Sequence, residues 1–404
     1  METEIAIRES VVDIKKSRLR KKIIRELYDT GNCTIAHLAR LVHASVPSVT
    51  ALIDELIVEK WLLELGTGEA QFGRKPVLYG LNPYRHLTLV LDISTHDTQL
   101  VIFNLGNQIV AQQETGLPLE DASAYVDNLF SLIDSFLLKS KVSRSDLLGV
   151  GVSLPGLINP ATGMNYTYQH LNDADHSFGE RIQGHLQNPV FLINDTKATV
   201  LGEQRFGLAQ GKNFVLSINI DWGVGLGILL NGEVFSGASG FAGELGHIQV
   251  RRDGAPCHCG KKGCLDTVAS ASALVKRVRT DLLNGQETEL AQYRNELERV
   301  DVEKVIEAAK QGDTYSIDML EDISQELGRG LAMAVQLFNP EMIIVDGVLA
   351  KAGAFITNPL EQAIRTFCLS DFNRNLTIEV SQLGGLAKLY GAQVCIVEQV
   401  LENQ

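Results

Sequence analysis

Three cysteines and two histidines crowd one part of the chain: His247, then Cys257-His258-Cys259-Gly260-Lys261-Lys262-Gly263-Cys264. Three thiolates and one imidazole make a tetrahedral zinc set, and the interspersed glycines let the backbone fold tightly round an ion. With a protein ligand in every position such a site is structural and keeps no open place for substrate. Spacing alone leaves the fourth ligand open between His247 and His258. His258 is squeezed between two cysteine ligands, which makes its simultaneous coordination awkward, so His247, Cys257, Cys259 and Cys264 are the expected set. Cys33, Cys368 and Cys395 are scattered, and in a reducing compartment the cluster favours metal over disulfide.

A metal loop needs a folded body to hold it. The 404 residues suffice for two or three domains of ~150 residues. Hydrophobic residues make up 45% and charged residues 21%, which excludes a disordered or collagen-like chain. Apolar runs such as Val215 to Ile220 fall far short of the ~20 residues of a membrane span, and the N-terminus reads as no secretory signal, so a cytoplasmic protein is expected. The net charge of −13 argues against a nucleic-acid partner only if the chain is one body. Residues 1–85 carry 13 basic and 11 acidic residues, leaving 23 basic and 38 acidic for the remainder. Ile14 to Arg25 alone holds seven basic residues and no acid.

The basic run opens a pattern that predicts a winged helix-turn-helix over residues 1–82. Leu19, Ile23, Ile24 and Leu27 recur at helical spacing, and Thr34 caps a second helix, Ile35 to Arg40. Ser45 begins a third helix, with Pro47 in its first turn. His43 occupies the turn position that asks for a left-handed backbone. Ser45, Pro47, Ser48 and Thr50 lie near the end of the third helix that would face base edges and phosphates. Trp61 to Leu65 and Val77 to Leu81 read as wing strands, with Arg74 and Lys75 as a basic hook at the tip. Asn82-Pro83 marks the boundary with residues 83–404.

Beyond it, apolar strands alternate with helices, which predicts α/β layers in two lobes. Lobe one is expected at about 83–195 plus the C-terminal helix, and lobe two at about 196–385. The polar stretch Asn284 to Val300 reads as a surface insertion.

Gly223-Val-Gly225-Leu-Gly227-Ile-Leu-Leu-Asn-Gly232, Gly240-Phe-Ala-Gly243-Glu244-Leu-Gly246-His247 and the cysteine block stand in an order and spacing that resemble the ROK family of repressors and sugar kinases. Leu154-Pro155-Gly156, Asn194-Asp195 and Asn339-Pro340 extend the match across most of residues 87–404. With a winged helix in front, the chain resembles the repressor branch that contains the Mlc, NagC and xylose repressors. The resemblance implies an actin-like, two-lobed sugar-kinase fold with a hexose-type site. It assigns Asn194 and Asp195 to sugar hydroxyls, with Asp195 at the place of the kinase's general base. It sets Glu244 and His247 round the ring, His247 using one nitrogen for sugar and the other for zinc. Asp266 stands where the family usually has Glu, one methylene shorter. Carboxylates and an amide suit a polyol, since each accepts or donates several hydrogen bonds.

The kinase motifs are degraded. Where ROK kinases have an Asp-x-Gly-Gly-Thr phosphate loop, this chain has Asp92-Ile-Ser-Thr-His96; where they have Gly-Thr, it has Asp221-Trp222; and the adenosine-side Gly-Gly-x reads Asp346-Gly347-Val348. A carboxylate ~4 Å from a phosphate costs on the order of 4 kcal/mol at an effective dielectric of ~20. The sequence therefore points to a sugar-responsive regulator rather than an enzyme, a homodimer or tetramer that binds operator DNA and takes a sugar or sugar phosphate as effector. Two alternatives are control by a phosphotransferase-type transporter component and a bifunctional ATP-dependent sugar kinase.

Overall fold

The computed structural model describes residues 11–68, 75–119, 124–373 and 375–403. Its first element, α1 (Val11–Thr30), buries Ile23, Ile24, Leu27 and Tyr28. Helix α2 (Ile35–Leu41) starts at Thr34, whose hydroxyl accepts the His37 N–H, and α3 (Val46–Val58) starts at Ser45, whose hydroxyl accepts the Ser48 N–H. Both caps satisfy N–H groups that a helix leaves unpaired. The two helices turn through 112°, within the helix-turn-helix range, and His43 in the turn is left-handed at φ 52°. Leu38, Ala39, Val42, Val49, Leu52 and Ile53 close a small core beneath them.

Strands β1 (Leu62–Thr67) and β2 (Val77–Leu81) pair antiparallel as the wing. Arg74 lies outside the described residues, and Lys75 is exposed just before β2. The basic run is partly neutralised within the chain. Lys16 lies 2.8 Å from Glu55, Arg20 pairs with Glu59, and Arg25 lies 3.8 Å from Glu398. Exposed pairs of this kind contribute only ~0–1 kcal/mol, and the first two bridge α1 to the far end of α3.

The described chain divides into two compact units. Unit 1 runs through Leu154 and adds Pro160–Ile193 and Ala392 onward; unit 2 holds Pro155–Asn159 and Asn194–Gly391. Unit 1 contains β3 (Leu87–Ile93), β4 (Thr98–Asn104), β5 (Ile109–Thr115), β6 (Leu147–Leu154) and β7 (Val190–Asn194) in the order β5-β4-β3-β6-β7, with α4 (Tyr125–Ser140) and α5 (Phe178–Leu186). Strand β3 is antiparallel to β4 and parallel to β6. The winged helix packs into this unit: the Trp61 and His86 rings meet at 33° with centroids 4.1 Å apart, and the Tyr28 hydroxyl donates to Asn107 Oδ1 at 2.9 Å.

Unit 2 contains β8 (Phe214–Ile220), β9 (Val224–Leu230), β10 (Glu233–Val234), β11 (Met342–Asp346) and β12 (Thr377–Val380) in the order β10-β9-β8-β11-β12. Strand β8 is antiparallel to β9 and parallel to β11. Its helices are α6 (Asp195–Phe206), α7 (Asp266–Ala269), α8 (Ala271–Leu283), α9 (Val302–Lys310), α10 (Thr314–Phe338) and α11 (Ala354–Phe367). Both five-stranded sheets have one plan, an antiparallel three-strand meander whose first strand is flanked on its other side by the fourth. The core joins Leu216 and Ile218 of β8 to Leu274 of α8, Leu327 of α10 and Leu360 of α11. The stretch read as a surface insertion is anchored in that core by Leu290 and Val300, because two 3-10 turns bring these residues inward. A last helix, α12 (Leu386–Asn403), belongs to unit 2 as far as Gly391 and to unit 1 from Ala392. Among the described residues no single helix is long and apolar enough to cross a membrane.

Candidate ligand and metal site

Asn194 ends β7 and caps α6. Its Oδ1 accepts the N–H groups of Thr196 at 3.1 Å and Lys197 at 3.3 Å, and its Nδ2 donates to Gly156 O at 3.2 Å. The cap thus ties the strand end to the Leu154-Pro155-Gly156 turn. Asp195 Oδ1 accepts the Thr196 N–H at 2.8 Å, placing the carboxylate at the positive end of the helix dipole. The Gly-x-Gly run of β9 explains how that helix end is held: a Cβ on Gly225 would lie 2.2 Å from Thr196 Oγ1, and one on Gly227 would lie 2.7 Å from Thr196 O. Absent side chains let β9 lie directly on the first turn of α6.

Lys197 was not singled out from sequence, yet it links the two halves of the site. It is buried, and its Nζ donates to Gly240 O at 2.5 Å. Burial lowers its pKa, while Glu244 and Asp195 oppose that shift. Burial likewise raises the Glu244 carboxyl, with Lys197 pulling it back. Glu244 Oε2 lies 3.9 Å from His247 Nε2, and His247 Nδ1 lies 3.6 Å from Cys257 Sγ. The imidazole therefore stands with one nitrogen toward a carboxylate and the other toward the thiols. Asp266 is buried; its Oδ1 accepts the Val224 N–H at 2.7 Å, and its Oδ2 lies 3.8 Å from His258 Nδ1. Burial raises its pKa against that backbone bond. Asp195, Glu244, His247 and Asp266 are thus brought into one electrostatic neighbourhood within unit 2, with Asn194 as the cap that aims Asp195.

The ligand atoms of His247, Cys257, Cys259 and Cys264 all lie within 4.8 Å of one another, a group able to hold a metal ion. Bonds of about 2.3 Å to sulfur and 2.0 Å to nitrogen in a tetrahedron separate two sulfurs by ~3.8 Å and sulfur from nitrogen by ~3.5 Å. The Cys259 to Cys264 separation is 3.7 Å and the Cys257 to His247 separation 3.6 Å. These two separations are close to the edges of such a tetrahedron, and the other pairs stay within 4.8 Å. His258 groups instead with Cys257 and Asp266, its Nδ1 3.8 Å from each. The turn is closed by backbone bonds from Cys257 N to Lys261 O and from Gly260 N to Cys257 O.

On α3, Ser45, Pro47 and Ser48 are exposed and Thr50 is half-buried. Ser45 Oγ lies 2.8 Å from Ser48 Oγ, and Thr50 Oγ1 donates to Val46 O at 2.9 Å. Val46 beside them is an apolar side chain left 50% exposed, which sequence reading passed over. Hydroxyls beside a branched methyl pair suit phosphates and thymine methyls respectively.

Two of the three stretches read as departures from the kinase pattern meet in unit 2. Asp221 Oδ1 accepts the Val348 N–H at 2.7 Å, so a carboxylate already holds the amide of the Asp346-Gly347-Val348 turn. Asp346 is buried, and burial first, then Asp221 and Glu203, pushes its carboxyl up to about 6. A folded pKa above the unfolded value of 3.8 gives a contribution to stability that is complete below that value and is lost as pH rises through about 6. Asp346→Asn should therefore stabilise the protein at pH 7.5, by on the order of 3 kcal/mol, and leave it nearly unchanged at pH ~4. Urea melts of both proteins at the two pH values measure this, and equal differences at both would contradict it.

Comparison with known proteins extends the pattern beyond single motifs. The ROK family model matches residues 88–399. The DNA-binding transcriptional dual regulator NagC of Escherichia coli is 27% identical over 400 residues, 97% of each chain. A ROK family transcriptional regulator described as a homologue of E. coli MLC superposes with a TM-score of 0.82 at 28% identity over 96% of each chain. A ROK glucokinase from Streptomyces griseus, solved with glucose and AMPPNP, gives 0.66 at 26% identity and covers 76% of this chain but 98% of its own. With the family model spanning both compact units and a regulator structure aligned over nearly the whole length, this chain belongs to the ROK family.

Proposed function

We propose that this protein is a sugar-responsive DNA-binding transcriptional regulator that represses genes of carbohydrate uptake or catabolism. One observation carries the reading: a helix-turn-helix with a wing precedes a polyol-type polar site in the same chain, and relatives that are regulators align across both parts, whereas the glucokinase leaves about a quarter of the chain uncovered. The family model likewise starts only at residue 88.

In this reading Asn194, Asp195, Glu244, His247 and Asp266 hold the hydroxyls of a sugar or sugar phosphate. Lys197 fastens the Gly240 turn to α6 and so sets Glu244 opposite Asp195. A zinc ion held by His247, Cys257, Cys259 and Cys264 would neutralise the thiolates and fix the orientation of the His247 ring. Ser45, Pro47, Ser48 and Thr50 of α3, with Arg74 and Lys75 of the wing, face operator DNA. Two half-sites call for two winged helices, so the working species is a homodimer or a tetramer, acting in the cytoplasm. Phosphoryl transfer is disfavoured because Asp221 already occupies the Val348 amide and would repel a polyphosphate.

By linkage, a sugar shifts DNA affinity only as far as it prefers one conformation of the chain over another. The test is operator binding to the gene's own upstream region, followed by fluorescence anisotropy with D-glucose, N-acetyl-D-glucosamine, their 6-phosphates and D-xylose. At least one sugar should change the affinity by about fivefold or more. If none does, the small-molecule reading fails and control by a transporter protein takes its place. Asp195-dependent turnover of ATP and sugar would restore the kinase.

A further inference from the structure

The geometry points to Asn107 as the positioning residue that joins the winged helix to α12, the helix that belongs to both compact units. This inference rests on the reading of the chain as a ligand-responsive DNA binder and assigns the route by which one half acts on the other.

The route starts at α6, whose first turn carries Asn194 and Asp195. In unit 2, α6 and the start of α12 meet backbone to backbone. A Cβ on Gly391 would lie 1.8 Å from Ala198 O, and one on Gly202 would lie 1.9 Å from Ala387 O. No side chain cushions that crossing, so a displacement of α6 is carried into α12 rather than absorbed. The same helix continues into unit 1, where a Cβ on Gly151 of β6 would lie 2.8 Å from Ala392 O.

There Gln393, fully buried, donates through Nε2 to Asn104 O at 3.1 Å and to Asn107 Oδ1 at 3.0 Å. The same Asn107 oxygen accepts the hydroxyl of Tyr28, the buried tyrosine near the end of α1, at 2.9 Å. One carboxamide oxygen at the tip of the β4–β5 turn thus takes one hydrogen bond from α12 and one from the winged helix, filling its two lone pairs. Arg25 and Glu398, 3.8 Å apart, join the same two helices at the surface. From α1 the connection runs to α3 through Lys16–Glu55 and Arg20–Glu59. A shift of α12 by about 1 Å stretches a bond of normal length beyond hydrogen-bond range. The buried Gln393 amide keeps this bond only if the β4–β5 turn follows, and Asn107 on that turn keeps its bond to Tyr28 only if α1 follows in turn.

Two substitutions isolate this junction. Asn107 is left-handed at φ 61°, so Asn107→Gly deletes the carboxamide and keeps the backbone conformation. Tyr28→Phe removes only the hydroxyl. For wild type and both variants, the sugar Kd without DNA comes from calorimetry with the panel above, and the operator Kd is measured with and without saturating sugar. In the variants the sugar-induced change in operator affinity should fall from about fivefold or more toward one, while the sugar Kd without DNA stays within about twofold of wild type. A purely structural role would lower thermal stability and leave that ratio in place. An unchanged ratio in both variants overturns the inference, as does loss of sugar-free DNA binding in both, since the network would then build the winged helix rather than link it. If wild type itself responds to no sugar, the functional reading fails and takes this inference with it, and the wild-type measurement alone reveals that case.

Discussion

Cys259→Ser should abolish zinc binding, lower the melting temperature by ~10 °C and remove the response of DNA binding to sugar. Cys259 is the discriminating choice because it is exposed whereas Cys257 and Cys264 are buried. If the cysteines merely packed, replacing an exposed thiol by a hydroxyl would change stability by less than ~0.5 kcal/mol. If they share an ion, losing any one leaves three ligands and a partly filled shell. Structural zinc supplies about 10–16 kcal/mol to small zinc-finger peptides that have no other core. Here unit 2 has its own core, so only the loop from Glu244 to Asp266 loses its anchor. A loss of about 3 kcal/mol, at roughly 2–4 °C per kcal/mol for a unit of this size, gives that shift in melting temperature. The response to sugar goes with it because His247 and Asp266 flank the loop at its two ends. His258→Ala is the control and should retain one zinc per chain by metal analysis. Retention of full zinc by Cys259→Ser, or loss of zinc from His258→Ala, would overturn the ligand set of His247, Cys257, Cys259 and Cys264.

How much of the fold and of the site was legible in the sequence depended on how local the cause was. Three of the four clustered thiol and imidazole residues, Cys257, Cys259 and Cys264, fall within eight positions, so their grouping was visible in the spacing. Strands β3 and β6 bury nearly every residue, so they read as continuous apolar runs. Strand β5, Ile-Val-Ala-Gln-Gln-Glu-Thr at a sheet edge, alternates between half-buried and exposed positions and gave no such run. Helix α11 was obscured by Pro359 in its interior. The caps Thr34 and Ser45 were readable because a cap acts within three residues. Lys197 was not, since its meaning depends on a carbonyl 43 residues away. Asn107 was hidden for the same reason. It looks like an ordinary turn residue until α1 and α12 converge on it.

The winged helix offers the second large effect. Ser48→Glu should lower operator affinity by about 100-fold or more, equivalent to roughly 2.7 kcal/mol, with zinc content and sugar affinity unchanged. Ser48 is exposed in the first turn of α3, beside Ser45 and Pro47. A carboxylate there is favourable for the free protein by ~0.3–1 kcal/mol, because it sits at the positive end of the helix dipole. Weakened binding could therefore not be attributed to a damaged fold. Against DNA the same charge meets phosphates at close range, where like charges repel and the released-counterion gain is lost. The acidic residues already present stand away from this turn: Asp54 is exposed six residues further along α3, Glu55 is engaged by Lys16, and Glu59, just past the helix, by Arg20. Ser48→Ala, which removes only the short contact with Ser45 Oγ, should cost no more than ~1 kcal/mol of affinity and serves as the size control. Anisotropy titrations of all three proteins at one fixed salt concentration decide the matter. Binding of Ser48→Glu within about threefold of wild type would move the DNA contact off the start of α3 and onto another part of the winged helix.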